Sequence, residues 1–183
     1  MKKTIEIECP DGYNPVYNAR TRKIEMVPEN IIDRVKTYED ARKSLGYLVP
    51  EAIAHNKSSI ALAKLQTICN ALNEGHKFDL LTEVVWYPGV RFYRVAPKDV
   101  EVIGHFSYQN RKFALAGEAY VGFYSGLSCF CPTTKTGYAN SSVGMLACKS
   151  ERIAQYVSKQ FGKLIFDAYF ARYFNEEEFE WID

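Results

Sequence analysis

This chain has no apolar run near the ~20 residues needed to cross a membrane,. Its first residues, "MKKTIEIECP", hold two lysines but no hydrophobic segment behind them, so no signal peptide is expected,. Histidine is scarce. His55, His76 and His105 are the whole supply, and no two stand at ligand spacing. A structural zinc site takes about four ligands, usually in closely spaced pairs, so no metal is expected. The phosphate-cradling patterns GxxxxGKS/T and GxGxxG are missing, and no cofactor of that kind is read,. The acids form no two-metal cluster: Asp99 and Glu101 flank a strand start, and the tail glutamates form a charge run. A net charge of +1 sets up no field for nucleic acid or an anionic membrane,.

Aromatic residues are plentiful, at 14% of the chain with 13 Tyr and 11 Phe. Tyrosine suits surfaces that are half buried or that bind something. Hydrophobic residues at 47% and charged residues at 25% are in the proportion of a folded domain with a sizeable core,. At 183 residues one domain over 1–183 is expected,. Residues 1–50 form its hairpin-and-helix start, and 175–183 an acidic tail. Five cysteines, an odd number without an export signal, read as reduced thiols in a cytoplasmic setting,.

The pattern along the chain is α+β. "TIEIECP" alternates Ile5 and Ile7 with Glu6 and Glu8, as a strand does; "DGYNP" supplies turn residues, and "RKIEMVP" returns,. An N-terminal β-hairpin with a long, Asn-rich tip follows, and Arg20, Arg22 and Lys23 sit near that tip in solvent. Thr37 and Asp40 have the spacing of a capping box, so a helix is expected from Tyr38 to Leu45, closed by Gly46, after a short turn at Asn30 to Val35,. Glu39 and Lys43 are spaced for an ion pair. In "SSIALAKLQTICNALNEG", Ala61, Leu65, Ile68 and Leu72 make one apolar stripe, with Leu62 and Cys69 beside it and Gly75 at the end,.

From Val84 to Cys148 the pattern turns to β, with Pro88-Gly89 read as a turn inside "VVWYPGVRFYRV",. "EVIGHFSY", "KFALAGEAYVGFYSGLSCF" and "SVGMLACK" are further strands of a twisted antiparallel sheet, crowded by its glycines. A long C-terminal helix follows, capped by Ser150. Ile153, Val157, Phe161, Leu164 and Ala168 form its buried stripe, and Arg152, Gln155, Lys159 and Lys163 its wet face,. The tail "NEEEFEWID" reads as an exposed extension, with Phe179, Trp181 and Ile182 able to dock on the body or on a partner.

Catalytic constellations are thin. His105 with Cys129, Cys131 or Cys148 is the sensible Cys/His combination, with Glu118 to orient the ring, and no local motif marks it,. Two surfaces remain. The first is the polar loop Pro132 to Ser142, where Thr133, Thr134, Lys135, Tyr138, Asn140 and Ser141 offer adaptable contacts between two strands,. The second is a pocket lined by Tyr87, Arg91, Tyr93, Arg94 and His105, whose arginine and tyrosine side chains can clamp a phosphorylated nucleotide by charge and stacking,. Arg94 alternates to the other strand face.

Three blocks, "VKTYEDARKSLG", "LAKLQTICNALNEG" and "SVGMLACKSERIAQYVSKQF", resemble a loosely defined family of small proteins encoded by phages and mobile elements of Bacteroides-type gut bacteria. The blocks recur there in this order, with a Gly- and Ser-rich β segment before the last. Gly144 to Phe161 is the most specific part. The segment "HKFDLLTEVVWYPGVRFYRV" departs from the relatives' Trp-rich stretch and Lys-Tyr-Tyr strand. The family has no agreed activity, so the resemblance implies no catalytic residues. The stretch "ALAGEAYVGFYSGLSCFCPTTKTGYANSSVGMLA" also resembles the ending of C-type-lectin-like domains, where a polar loop is displayed between strands. The expectation is therefore a binding or structural protein, in the host cytoplasm or in a virion, with a protein partner or self-association. The rival is a nucleotide-sequestering protein or an enzyme built on the Tyr87, Arg91, Tyr93 and His105 pocket.

Overall fold

The computed structural model describes residues 6–19, 21–46, 56–78, 83–108, 111–123, 146–170 and 179–182. The fold is α+β. A two-stranded hairpin of β1 (Tyr13–Asn18) and β2 (Lys23–Pro28) leads into α1 (Ile31–Arg34), α2 (Tyr38–Ser44) and α3 (Lys57–Leu72). The main sheet comprises β3 (Val84–Tyr93), β4 (Val102–Tyr108), β5 (Arg111–Phe123) and β6 (Phe179–Trp181). It is antiparallel, with spatial order β3-β5-β4-β6. Between β5 and β6 in sequence come α4 (Glu151–Gln160) and α5 (Gly162–Tyr169). No helix among the described residues is long and apolar enough to cross a membrane.

The hairpin sits later in sequence than expected. Residues 6–10 take no strand conformation, and β1 forms from "YNPVYN", whose first three residues were read above as turn. Local hydrogen bonds explain the shift. Asn18 Oδ1 accepts from Thr21 N at 3.1 Å, and Asn18 Nδ2 donates to Glu25 at 2.8 Å. Arg22, just before β2, takes a left-handed φ of 57°. The tip is thus short, and the Asp11-Gly12 turn precedes the hairpin instead of forming its end.

The helix signals act as local chemistry dictates. Thr37 Oγ1 accepts from Asp40 N at 3.2 Å, while Asp40 accepts from Thr37 N at 2.9 Å, so the capping box is formed,. Those bonds hold the Asp40 carboxyl below its usual range, Thr37 foremost, against the opposing effect of burial. Glu39 is met by Arg42 at 3.2 Å, one residue earlier than the expected Lys43. Asn56 caps α3 through Ser59 N at 2.9 Å. Leu65, Ile68, Cys69 and Leu72 are buried along the α3 stripe, each Leu or Ile contributing about 1.5–3 kcal/mol,.

Pro88-Gly89 is not a turn. β3 runs unbroken through it, with Pro88 opposite Ala119 and Gly89 opposite Glu118. β3 is an edge strand, where a proline's missing N–H removes no inner ladder bond,. Trp86 N and O bond Cys148 on the outer side, and Pro88, two residues on, faces the same way. Gly89 lacks the Cβ that would stand 2.4 Å from the Tyr120 ring.

The C-terminal helix is two helices. At Phe161 the backbone leaves helical geometry (φ −119°, ψ 24°), and Gly162 rests against Ile103 as α5 begins. Ile153, Val157 and Phe161 are buried as expected, and Arg152, Gln155, Lys159 and Lys163 are exposed. Beyond the break the buried positions become Ile165 and Phe166, so Leu164 and Ala168 are only half buried. Residues 179–182 of the tail dock on the body: β6 adds an edge strand to β4, and Trp181 meets Phe166 edge-on at 5.9 Å.

α4 approaches the sheet closely because of Gly117. A Cβ there would lie 2.6 Å from the Ser158 backbone carbon. The close approach lets the buried Ser158 hydroxyl enter the ladder between β3 and β5. It accepts from Gly89 N at 3.0 Å and lies 2.5 Å from Glu118 O and 2.8 Å from Ala154 O, either of which can take its proton.

Candidate functional site

Opposed residues of an antiparallel pair project to the same side. Trp86, Val90 and Phe92 belong to the helix-covered core. Tyr87, Gly89, Arg91 and Tyr93 therefore project from the other face, with their partners Tyr120, Glu118, Ala116 and Ala114 on β5. His105 on β4 is opposite Ala114 and joins the same face. Register thus brings the sequence-derived Arg91, Tyr93 and His105 onto one surface, whereas Tyr87, on the same side of β3, is buried with Val85, Ala147, Phe78 and Tyr120 and is not available as a contact residue. Arg94 lies beyond the end of β3 and is exposed.

Glu118, considered above only as an orienter for His105, is the hub of this face. Its carboxylate accepts from Tyr93 OH at 2.5 Å and pairs with Arg91 Nε at 3.0 Å. The Arg91 guanidinium stands 5.9 Å from the Tyr93 ring centre. Ala114 and Ala116 are buried short side chains beneath these long ones. Burial, then the charge of Glu118, pushes the Tyr120 phenol up. The Tyr93 phenol is raised by burial and by its bond to Glu118. Both tyrosines therefore stay protonated donors through neutral pH. The charges of Arg91 and Glu118 cancel within the site.

Of the three Cys/His combinations, the one with Cys148 is not assembled. Cys148 bridges to Trp86 and shares its helix-side face, whereas His105 projects from the opposite face. The Cys148 thiol is buried, and its hydrogen bond to Cys69, together with burial, pushes its pKa well up. That is the reverse of an activated nucleophile. Cys129 and Cys131 lie outside the described residues. So do Thr133, Thr134, Lys135, Tyr138, Asn140 and Ser141. β5, which carries Glu118 and Tyr120, is the strand that runs into that segment.

A concavity of about 830 Å³ lies elsewhere, at the C-terminal end of α3 beside Arg34, Gln66, Asn70, Glu74 and His76. Sequence reasoning missed it; its one signal was the Asn-Glu-Gly run after a helix. Much of its polar lining is committed to holding the fold. Buried Asn73 donates to Ala147 O at 2.7 Å and accepts from Lys149 N at 2.9 Å. Glu74, at a left-handed φ of 53°, pairs with Arg34 at 2.5 Å and Lys149 at 2.8 Å. The bond to Lys149 leads in holding the Glu74 carboxyl below its ordinary range. His76 meets Glu83 at 2.6 Å.

Comparison with family models, curated proteins and solved structures returned no match to this chain.

Proposed function

We propose that this is a non-enzymatic binding or structural protein of a phage or mobile element, acting as a virion component or as an accessory factor on a host molecule. Its partner is a protein, met by the sheet face that carries Arg91, Tyr93 and Tyr120 and by the segment, later in sequence than β5, that holds Thr133, Thr134, Lys135, Tyr138, Asn140 and Ser141. The observation that carries this reading is the pairing of Arg91 with Glu118 at 3.0 Å. A phosphate clamp needs a free guanidinium. Here a carboxylate already holds it, and an incoming phosphate would meet that negative charge. A neutral face of half-buried tyrosines with one arginine is the composition that protein interfaces favour. The resemblance of the three sequence blocks supports the phage or mobile-element origin.

Native mass spectrometry of protein purified from its natural source tests the reading. A complex with a protein, lost in Tyr93→Ala, is expected. A stoichiometric bound nucleotide, released by Arg91→Ala, would favour the sequestering alternative instead.

A further inference from the structure

β5 holds one side of β4, and the chain's own C-terminus fills part of the other. Among the described residues β6 pairs with three of the seven residues of β4: Trp181 lies opposite Gly104, Glu180 opposite His105 and Phe179 opposite Phe106. Ile182 N also donates to Ile103 O at 3.1 Å.

This edge is shaped for what lies on it. The half-buried Trp181 ring meets Phe166 edge-on at 5.9 Å, in the cluster built on buried Phe106, Leu115 and Phe166. A Cβ at Gly104 would first meet atoms of β6 alone: Glu180 O at 3.0 Å, the Trp181 ring at 3.2 Å and Trp181 Cα at 3.6 Å. Gly104 has no left-handed φ, so the backbone there does not call for glycine. A glycine inside a strand weakens it and marks close approach of another group, and here that group is the added strand. Glu180 reaches across β4 to Lys112 of β5 at 3.2 Å.

The resident strand holds this seat lightly. Its three residues fall short of the roughly five or six of an ordinary strand,. Ile182 is 52% exposed, and both members of the Lys112–Glu180 pair are open to solvent, where such pairs hold little,. Segments with few buried contacts are the first to open locally.

We infer that the β4 edge is a strand-addition site for the protein partner, occupied by the chain's own C-terminal strand until an extended segment of that partner displaces it. The segment carries a large aromatic ring for the seat of Trp181 and an acid just before it for Lys112. Strand addition draws affinity from main-chain bonds and specificity from alternate side chains. A segment that pairs along more of β4 than three residues outmatches the resident. The site is continuous with the contact face described above: Glu180, opposite His105, projects from the side that carries Arg91 and Tyr93,. The inference rests on the protein partner proposed above, yet a peptide tests the seat with no partner present, so the two can fail separately.

Fluorescence anisotropy of a labelled peptide of residues 175–183, NEEEFEWID, measures the seat on the full chain. The wild type should bind it weakly, because the tethered strand competes at an effective concentration on the order of mM. Trp181→Ala loosens the resident and should bind the peptide at least about tenfold more tightly. Adding Gly104→Ala to that chain puts a Cβ against the incoming backbone and should abolish the gain. The peptide carrying Trp181→Ala should not bind. A folded Trp181→Ala chain that does not take the peptide, a wild type that takes it as tightly, or a Gly104→Ala/Trp181→Ala chain that binds undiminished would overturn the inference. Ile182→Pro gives a second way to loosen the resident, should Trp181→Ala not fold: it deletes the donor to Ile103 O at an exposed position, and the same results are expected and decisive.

Discussion

Replacing Ser158 by alanine removes one oxygen and tests how α4 is tied to the sheet. The residue is fully buried, and its hydroxyl sits between two strands. Without it, Gly89 N–H loses its acceptor, and whichever of Glu118 C=O and Ala154 C=O takes the hydroxyl proton loses that donor. Each buried backbone group left unpaired costs about 1–3 kcal/mol. Alanine's better helix propensity returns up to about 0.5 kcal/mol. The net expectation is a loss of about 2–4 kcal/mol, read as a lower urea midpoint at unchanged slope. The Gly89 amide should also exchange faster with solvent. Gly89 and Glu118 are register partners, so one outcome refutes the reasoning outright. If the strands close and pair directly, stability stays within about 0.5 kcal/mol of wild type, as at an inert position. Gly117→Ala probes the same junction by overpacking. Its new Cβ meets helix backbone rather than a movable side chain, so about 1–3 kcal/mol should be lost,.

Phe161→Ala opens a cavity at the junction of α4 and α5, where the ring is buried and meets Tyr156 edge-on at 6.0 Å. About 3–5 kcal/mol should be lost in denaturant titrations, and a wild-type midpoint would place the buried face elsewhere. Glu74 has a folded pKa below its ordinary value of 4.5. Its contribution is therefore complete above that value and disappears as pH falls through the depressed one. Glu74→Gln should flatten the acid limb of stability below pH 4.5 and lower stability at neutral pH; an unchanged pH profile would show that Arg34 and Lys149 do not depend on its charge. Thiol titration of denatured protein should find all five cysteines free, as Cys9, Cys69 and Cys148 are in the structure; three or fewer would show disulfides.

The features legible in sequence are those whose partners are a few residues away. The capping box of Thr37 and Asp40, the Ser150 cap and the α3 stripe ending in Leu72 all depend on one turn of helix, so spacing alone reveals them. That Arg91 and Tyr93 share one face, with Arg94 off it, was also readable from alternation along β3. What alternation could not show was that Glu118 lies opposite Gly89 and within reach of both Arg91 and Tyr93. That depends on strand register, which is set by contacts far apart in the chain.

The same reason separates the remaining results. Pro88-Gly89 reads locally as a turn, and only the edge position of β3 makes it tolerable inside a strand,. The tail's Phe179–Trp181 segment reads as a charged extension until β4 offers an open edge. The C-terminal helix looks continuous by periodicity, yet it breaks at Phe161 and α5 begins with Gly162 against Ile103. The sequence by itself determined the α+β class, the helix starts and most of the buried stripe, because propensity, capping and periodicity act over one or two turns. The tertiary structure alone decided strand edges, register and the meeting of Arg91, Tyr93 and Glu118, because backbone hydrogen bonds between strands carry no local sequence mark.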